Sequence, residues 1–155
     1  MVCLFYKSML QFTFVTRVSA QRHQVADQFN QELLLKLKPP LVTMQLLRYD
    51  GQHCGDELMF AVGIGKLTQK WHGAITQHRY TDKDWLFRDE GIALPHPLKR
   101  WKHTHALKSA KQGTLVIDRV QFCGKNPIYT LLLCLPIAMM FLMRKPAYQR
   151  WLSAR

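Results

Sequence analysis

Acidic side chains are scarce in this 155-residue chain: 10 Asp and Glu stand against 22 Lys and Arg, a formal net charge of +12. That balance admits nucleic acid, anionic membranes and acidic proteins as partners without choosing among them. No run of three or more consecutive Lys or Arg occurs, and no aromatic platform for stacking bases is legible. Closely spaced cysteines are missing too. Cys3, Cys54, Cys123 and Cys134 form no CxxC pair, so neither a disulfide framework nor a cysteine zinc site is expected, and a reducing compartment is. The Gly63-x-Gly65-Lys66 stretch is too short for a phosphate-binding loop, and there is no GxSxG or HExxH. These absences exclude P-loop nucleotide hydrolysis, the nucleophile-elbow esterases and the zincin proteases.

What is present suits one globular domain, 1–155. Apolar residues make up 48% and charged residues 21%, which is not a disordered composition. The positive excess is uneven. Residues 1–65 carry a net +1, residues 66–111 a net +6, residues 112–143 a net +1, and 144–155 four bases with no acid. Binding of nucleic acid through the 66–111 face is therefore open but unsupported by any motif. Met1–Leu10 lacks a cleavage-site pattern, so it is a poor signal peptide and the cytoplasm is the expected location. One long apolar run exists, Ile128–Met143, 16 residues interrupted by Pro136. It falls just short of the ~20 residues of a membrane span. Either a buried helix or a membrane contact through 128–155 satisfies it.

The alternating pattern of Gln11–Val18 predicts a strand. Ser19 as N-cap then opens a helix over Ala20–Asn30, and a second short helix covers Gln31–Leu37 before Pro39-Pro40. Strands follow over Met44–Tyr49, Glu57–Ile64, Trp71–His78, Trp85–Asp89, Arg100–Leu107 and Thr114–Phe122, and a long helix begins near Asn126. Consecutive strands with short loops pair antiparallel, and only the last helix is long enough to cover their apolar face. The expected class is α+β: a curved antiparallel sheet of six to seven strands wrapped around a C-terminal helix, with two short helices after the first strand.

Several short motifs recur in a familiar order. They are Leu37–Pro40, Arg48-Tyr-Asp-Gly51 with Gly55-Asp56, Trp71 with Ile75, Phe87-x-Asp89 and Trp101-x-His103-x-His105. Thr114-x-x-x-Asp118-x-Val120 and a last helix holding Phe141 and Arg144 complete the set. In this order the chain resembles the START-like, or SRPBCC, superfamily of helix-grip proteins, and most nearly its bacterial ligand-binding members, which are polyketide cyclase-like. The likeness covers about 11–152. It implies a cavity between sheet and helix for a small hydrophobic or lipid-like ligand. One departure is evident: where the family pattern passes through a Gly-Pro-Phe turn, this chain reads EGIALPHPLKR over Glu90–Arg100. That implies a differently shaped cavity rim.

Trp101, His103, His105 and Leu107 alternate onto one face of a strand, and the Trp and Leu mark that face as inner. Two histidines there need polar partners. A hairpin turning through Lys108–Gly113 sets Leu107 opposite Thr114, His103 opposite Asp118 and His105 opposite Val116. The His–Asp group has three open readings: an acid/base dyad, an anchor for a polar ligand group, or a self-satisfied structural pair. A metal reading would add Asp118 or His72 as third ligand, and no metal or cofactor is expected on this evidence. Asp89 and Glu90 read as solvated. The expected ligand-binding set is Trp71, Phe87, Trp101, His103, His105, Asp118 and Met140. The ranked alternatives are a cyclase or dehydratase using the His/Asp group, a membrane-associated protein, and a module binding macromolecules through its basic face.

Overall fold

In a computed structural model the described residues are 2–6, 9–40, 42–65, 67–82 and 84–153, the first of these segments by backbone alone. Lys66 and Lys83 of the basic segment, and Arg155 of the tail, lie outside them. The elements are β1 (Val2–Tyr6), β2 (Met9–Val18), α1 (Arg22–Gln28), α2 (Gln31–Lys36), β3 (Thr43–Tyr49) and β4 (Glu57–Ile64). They continue with β5 (Leu67–Tyr80), β6 (Trp85–Ala93), β7 (Leu98–Ser109), β8 (Thr114–Gly124), α3 (Pro127–Leu142) and α4 (Arg144–Trp151). All eight strands form one antiparallel sheet in the order β1-β2-β8-β7-β6-β5-β4-β3. The helix-grip class holds, with one strand more than expected. The addition is β1, which extends the sheet past β2.

Local chemistry explains where the elements begin and end. Helix α1 starts at Arg22 and its N-cap is Gln21, not Ser19. The Gln24 side chain accepts from the Gln21 backbone N–H at 3.0 Å. Residues 19–20 stay outside the helix, where the Ala20 carbonyl accepts from the buried Thr114 hydroxyl at 2.8 Å. At the α2 start, Asn30 Oδ1 accepts from Leu33 N–H, as an N-cap should.

The β7–β8 hairpin is tighter than expected. Both strands run on to Ser109 and Thr114, which pair, and Ala110 N–H bonds the Gly113 carbonyl at 3.0 Å. Gly113 has φ +85, and a Cβ there would sit 2.0 Å from the Val18 carbonyl oxygen, so only glycine closes this turn. The register consequently moves by two residues. Leu107 faces Val116, His105 faces Asp118, and His103 faces Val120. An even shift keeps every side chain on its expected face.

The C-terminal helix carries out the grip. Asn126 caps α3 by accepting from Tyr129 N–H at 2.8 Å, and Pro127 occupies the first turn where its missing N–H costs nothing. Regular α-helix pauses at Met143, because Pro146 offers no N–H to the Leu142 carbonyl. Ile137, Ala138 and Phe141 of α3 bury against Phe12, Phe14 and Phe122 of the sheet. Tyr148 and Leu152 seal a second cluster with Phe29, Trp85, Phe87 and Leu107. The span Pro127–Trp151 is 25 residues, and its most apolar 18-residue window has a mean hydropathy of 1.7, long and apolar enough to cross a membrane by composition. Here one side of it lies on the sheet.

Candidate functional site

Between the two clusters the sheet and helices stand apart around a cavity of about 290 Å³. Its walls come from α2, the strands β3 to β7, and α3. Leu33, Leu37, Met44, Leu58, Phe60 and Val62 supply much of the apolar surface. Six of the seven residues expected at the site line it: Trp71, Phe87, Trp101, His103, His105 and Met140. Trp71 stacks on Phe60 with centroids 5.5 Å apart and meets Trp101 edge-on at 4.9 Å. Phe87 stacks on the His105 ring at 4.4 Å. The seventh, Asp118, does not reach the cavity. It lies buried behind the two histidines.

The correction at this site is Asp89. Strand β6 does not end there but continues to Ala93, so Trp85, Phe87 and Asp89 alternate inward and Asp89 is 5% exposed. Its Oδ1 accepts the Trp101 indole N–H at 3.0 Å. Its Oδ2 lies 3.4 Å from His103 Nδ1 and 3.8 Å from His105 Nε2. Glu90, of opposite parity, faces outward and bonds Lys102 and Thr76. His72, weighed as a third metal ligand, points elsewhere, its Nε2 3.1 Å from Glu57 Oε2.

Behind the histidines, four groups converge on one oxygen, Asp118 Oδ1. His103 Nε2 donates to it at 2.9 Å and the Tyr148 hydroxyl at 3.3 Å. His105 Nδ1 stands 3.1 Å away but out of line for a hydrogen bond, and Arg144 Nη1 lies at 3.9 Å. Arg144 also covers the face of Phe141, its guanidinium carbon 4.3 Å from the ring centroid. Arg144 is marked in the sequence only as part of the resemblance, and Tyr148 carries no signal at all, since an apolar helix does not announce which side it buries.

Electrostatics follow from this burial. Desolvation and the neighbouring His105 push His103 down to about 4, so its imidazole is neutral at neutral pH. Burial alone would raise Asp118, but its contacts with His103 and His105 outweigh that and hold it well below the usual carboxylate range. Burial, reinforced by the Asp118 charge, lifts Tyr148 well above the ordinary phenol value. The site is thus a largely apolar chamber with a polar floor that is hydrogen-bonded to a buried carboxylate behind it.

Known structures share this arrangement of elements. The di-domain aromatase/cyclase StfQ of the steffimycin biosynthetic pathway superposes with a TM-score of 0.69 at 10% identity, covering 91% of this chain and 49% of that one. The helix-grip fold is therefore shown. This chain spans about half the length of that two-domain protein. The Zhui aromatase/cyclase from a Streptomyces species gives a TM-score of 0.67 at 10% identity, covering 90% of each chain. Norcoclaurine synthase from Thalictrum flavum, solved with dopamine and hydroxybenzaldehyde, gives 0.62 at 13% identity, covering 90% of this chain and 84% of that one. The fold is that of the START-like, or SRPBCC, proteins. No protein-family model matches the sequence, and no curated protein matches it.

Proposed function

We propose that this protein binds a small, largely apolar ligand in the cavity between its sheet and C-terminal helix. The observation that carries the reading is the contrast within that cavity: mostly apolar walls, and a convergent polar group of Asp89, His103 and His105 on the floor with Arg144 beside it. Concave apolar sites with a few convergent polar atoms are the usual form of small-molecule sites. Burying the ligand's apolar surface would contribute about 25 cal/mol per Å² before ordering costs. Trp71, Phe87, Trp101 and Met140 line the space, His103 and His105 orient a polar head, and Asp118 holds the histidines. A fold neighbour that takes dopamine and hydroxybenzaldehyde supports an aromatic ligand with polar substituents. Titrating an aromatic ligand panel against Trp71 and Trp101 fluorescence tests this. Saturable quenching that is lost in Val62→Trp, which fills the cavity, is the expected result.

A second reading rests on a separate observation. The outer side of α3 exposes Ile128, Leu131, Leu132, Leu135, Met139 and Leu142, with Leu131 72% exposed. These recur every three or four residues, one continuous stripe of the helix. Exposed apolar patches of this kind mark interaction surfaces. After Asp118 the chain has no acidic residue, and Lys125, Lys145 and Arg150 are exposed around the stripe. Two copies meeting through this stripe would bring like charges together, whereas an anionic lipid surface complements them. Co-sedimentation with vesicles of phosphatidylcholine plus phosphatidylglycerol, lost in Leu131→Asp/Leu135→Asp, supports the reading. A dimer in solution with no vesicle binding sinks it.

A further inference from the structure

The floor of the cavity gathers two histidines around one carboxylate. His103 engages Asp118 Oδ1 through Nε2 at 2.9 Å, which leaves Nδ1 as its free ring nitrogen. His105 turns Nδ1 toward Asp118, 3.1 Å from Oδ1, which leaves Nε2 as the ring nitrogen nearest Asp89. Both of these nitrogens face the same atom, Asp89 Oδ2, at 3.4 and 3.8 Å. The other Asp89 oxygen, Oδ1, accepts the Trp101 indole N–H at 3.0 Å. Three potential ligand atoms thus lie within 4.8 Å of one another inside a buried pocket.

From this geometry we infer that Asp89 Oδ2, His103 Nδ1 and His105 Nε2 form a binding site for one divalent first-row transition-metal ion. Two imidazoles and one carboxylate are the donor set of zinc and non-haem iron(II) centres. Metal–ligand bonds of about 2.0–2.2 Å put ligand atoms roughly 3–3.5 Å apart, close to the spacing found. Two of the ligands are already oriented from behind, Asp89 by Trp101 and His103 by Asp118, and Phe87 stacks on the His105 ring. Carboxylate–histidine support of this type is what metal sites require beyond their direct ligands. All three residues line the cavity, so the remaining coordination positions open onto it. A ligand with a carboxylate, enolate or phenolate head would complete the sphere. This deepens the cavity reading but does not depend on it, because the ion needs only the floor.

The test uses chelator-treated full-length protein titrated with Co²⁺ alone and followed by visible absorption and calorimetry. One ion per chain with ligand-field bands of a four- or five-coordinate centre is expected. Asp89→Asn keeps the shape and the indole hydrogen bond, and should weaken binding at least tenfold. Asp118→Asn, which touches no ion, should weaken it about 10- to 100-fold. His53→Ala serves as control, since His53 and His78 form a surface ring pair with centroids 4.8 Å apart. It should leave binding unchanged. A folded wild-type protein that takes up no Co²⁺ overturns the site. So does binding that survives Asp89→Asn and is lost in His53→Ala. Aromatic-ligand quenching measured in chelator separates failure of the ion site from failure of the cavity reading.

Discussion

His103 Nε2 reaches Asp118 Oδ1 at 2.9 Å on the diagonal of the β7–β8 ladder, in which the residue directly opposite Asp118 is His105. One carboxylate therefore serves both histidines of a Trp-x-His-x-His strand, and a helix adds Tyr148 and Arg144 to it. The polar floor of the cavity and the seat of the gripping helix are the same set of contacts. Disturbing either should be felt in the other.

Removing the Asp118 carboxylate leaves His103, Tyr148 and Arg144 buried without their common partner. Asp118→Leu should destabilise the fold by about 3–5 kcal/mol, whereas Tyr148→Phe, which loses one hydrogen bond, should cost about 1 kcal/mol. Urea denaturation with matched m-values measures both. Equal, small effects would mean that the network contributes little.

Acid should destabilise the chelator-treated protein before any surface group explains it. His103, faced by Asp89, His105, Asp118 and nearby Arg144, is neutral down to about pH 4, whereas in the unfolded chain it binds its proton near 6.5. Between those values the unfolded state holds more protons, so stability falls as pH falls through this window, by on the order of 3 kcal/mol. The depressed carboxyl of Asp118 adds loss in the same direction below its unfolded value. Denaturation midpoints at pH 7 and pH 4.5 check this. His103→Gln should flatten the slope.

The β7–β8 turn has room for nothing beyond glycine. Gly113→Ala combines a positive φ with a 2.0 Å approach to the Val18 carbonyl. Thermal unfolding should show a loss above about 1 kcal/mol. A neutral result would mean that the turn relaxes into another type.

Much of this was legible beforehand, and the gaps have physical reasons. Alternation gave the inward faces of β7 and β8, and an even register shift preserved them, so His103, His105 and Trp101 fell where expected. The same alternation would have found Asp89, which shares the parity of Trp85 and Phe87. Reading Asp89 and Glu90 as a solvated acidic pair at a strand end hides it. Strand β1 has no counterpart among the expected strands, since Val2–Tyr6 is apolar throughout and has no alternation to mark it. Composition could not separate a solid core from a cavity: Phe12 and Phe122 fill the interior while Trp71 and Phe87 border open space, and the residue types are alike. Helix α3 is apolar all round, so only packing reveals that Ile137 and Phe141 are buried and that Leu131 and Leu135 are not.

Substitution of a lining residue separates a binding chamber from a packing defect. Met140→Trp should reduce aromatic-ligand affinity at least tenfold while leaving the fold as stable as before, since Met140 borders open volume. Phe141→Ala, in the solid part of the same helix, should instead cost about 3–5 kcal/mol of stability. If both variants lose stability equally, the chamber is filled in solution.

Native mass spectrometry of protein purified without detergent tests the cavity reading most directly. A discrete adduct that leaves on denaturation, or a one-to-one complex with an added aromatic ligand that Val62→Trp abolishes, is the predicted result. A folded protein that shows only its bare mass across the whole ligand panel contradicts it.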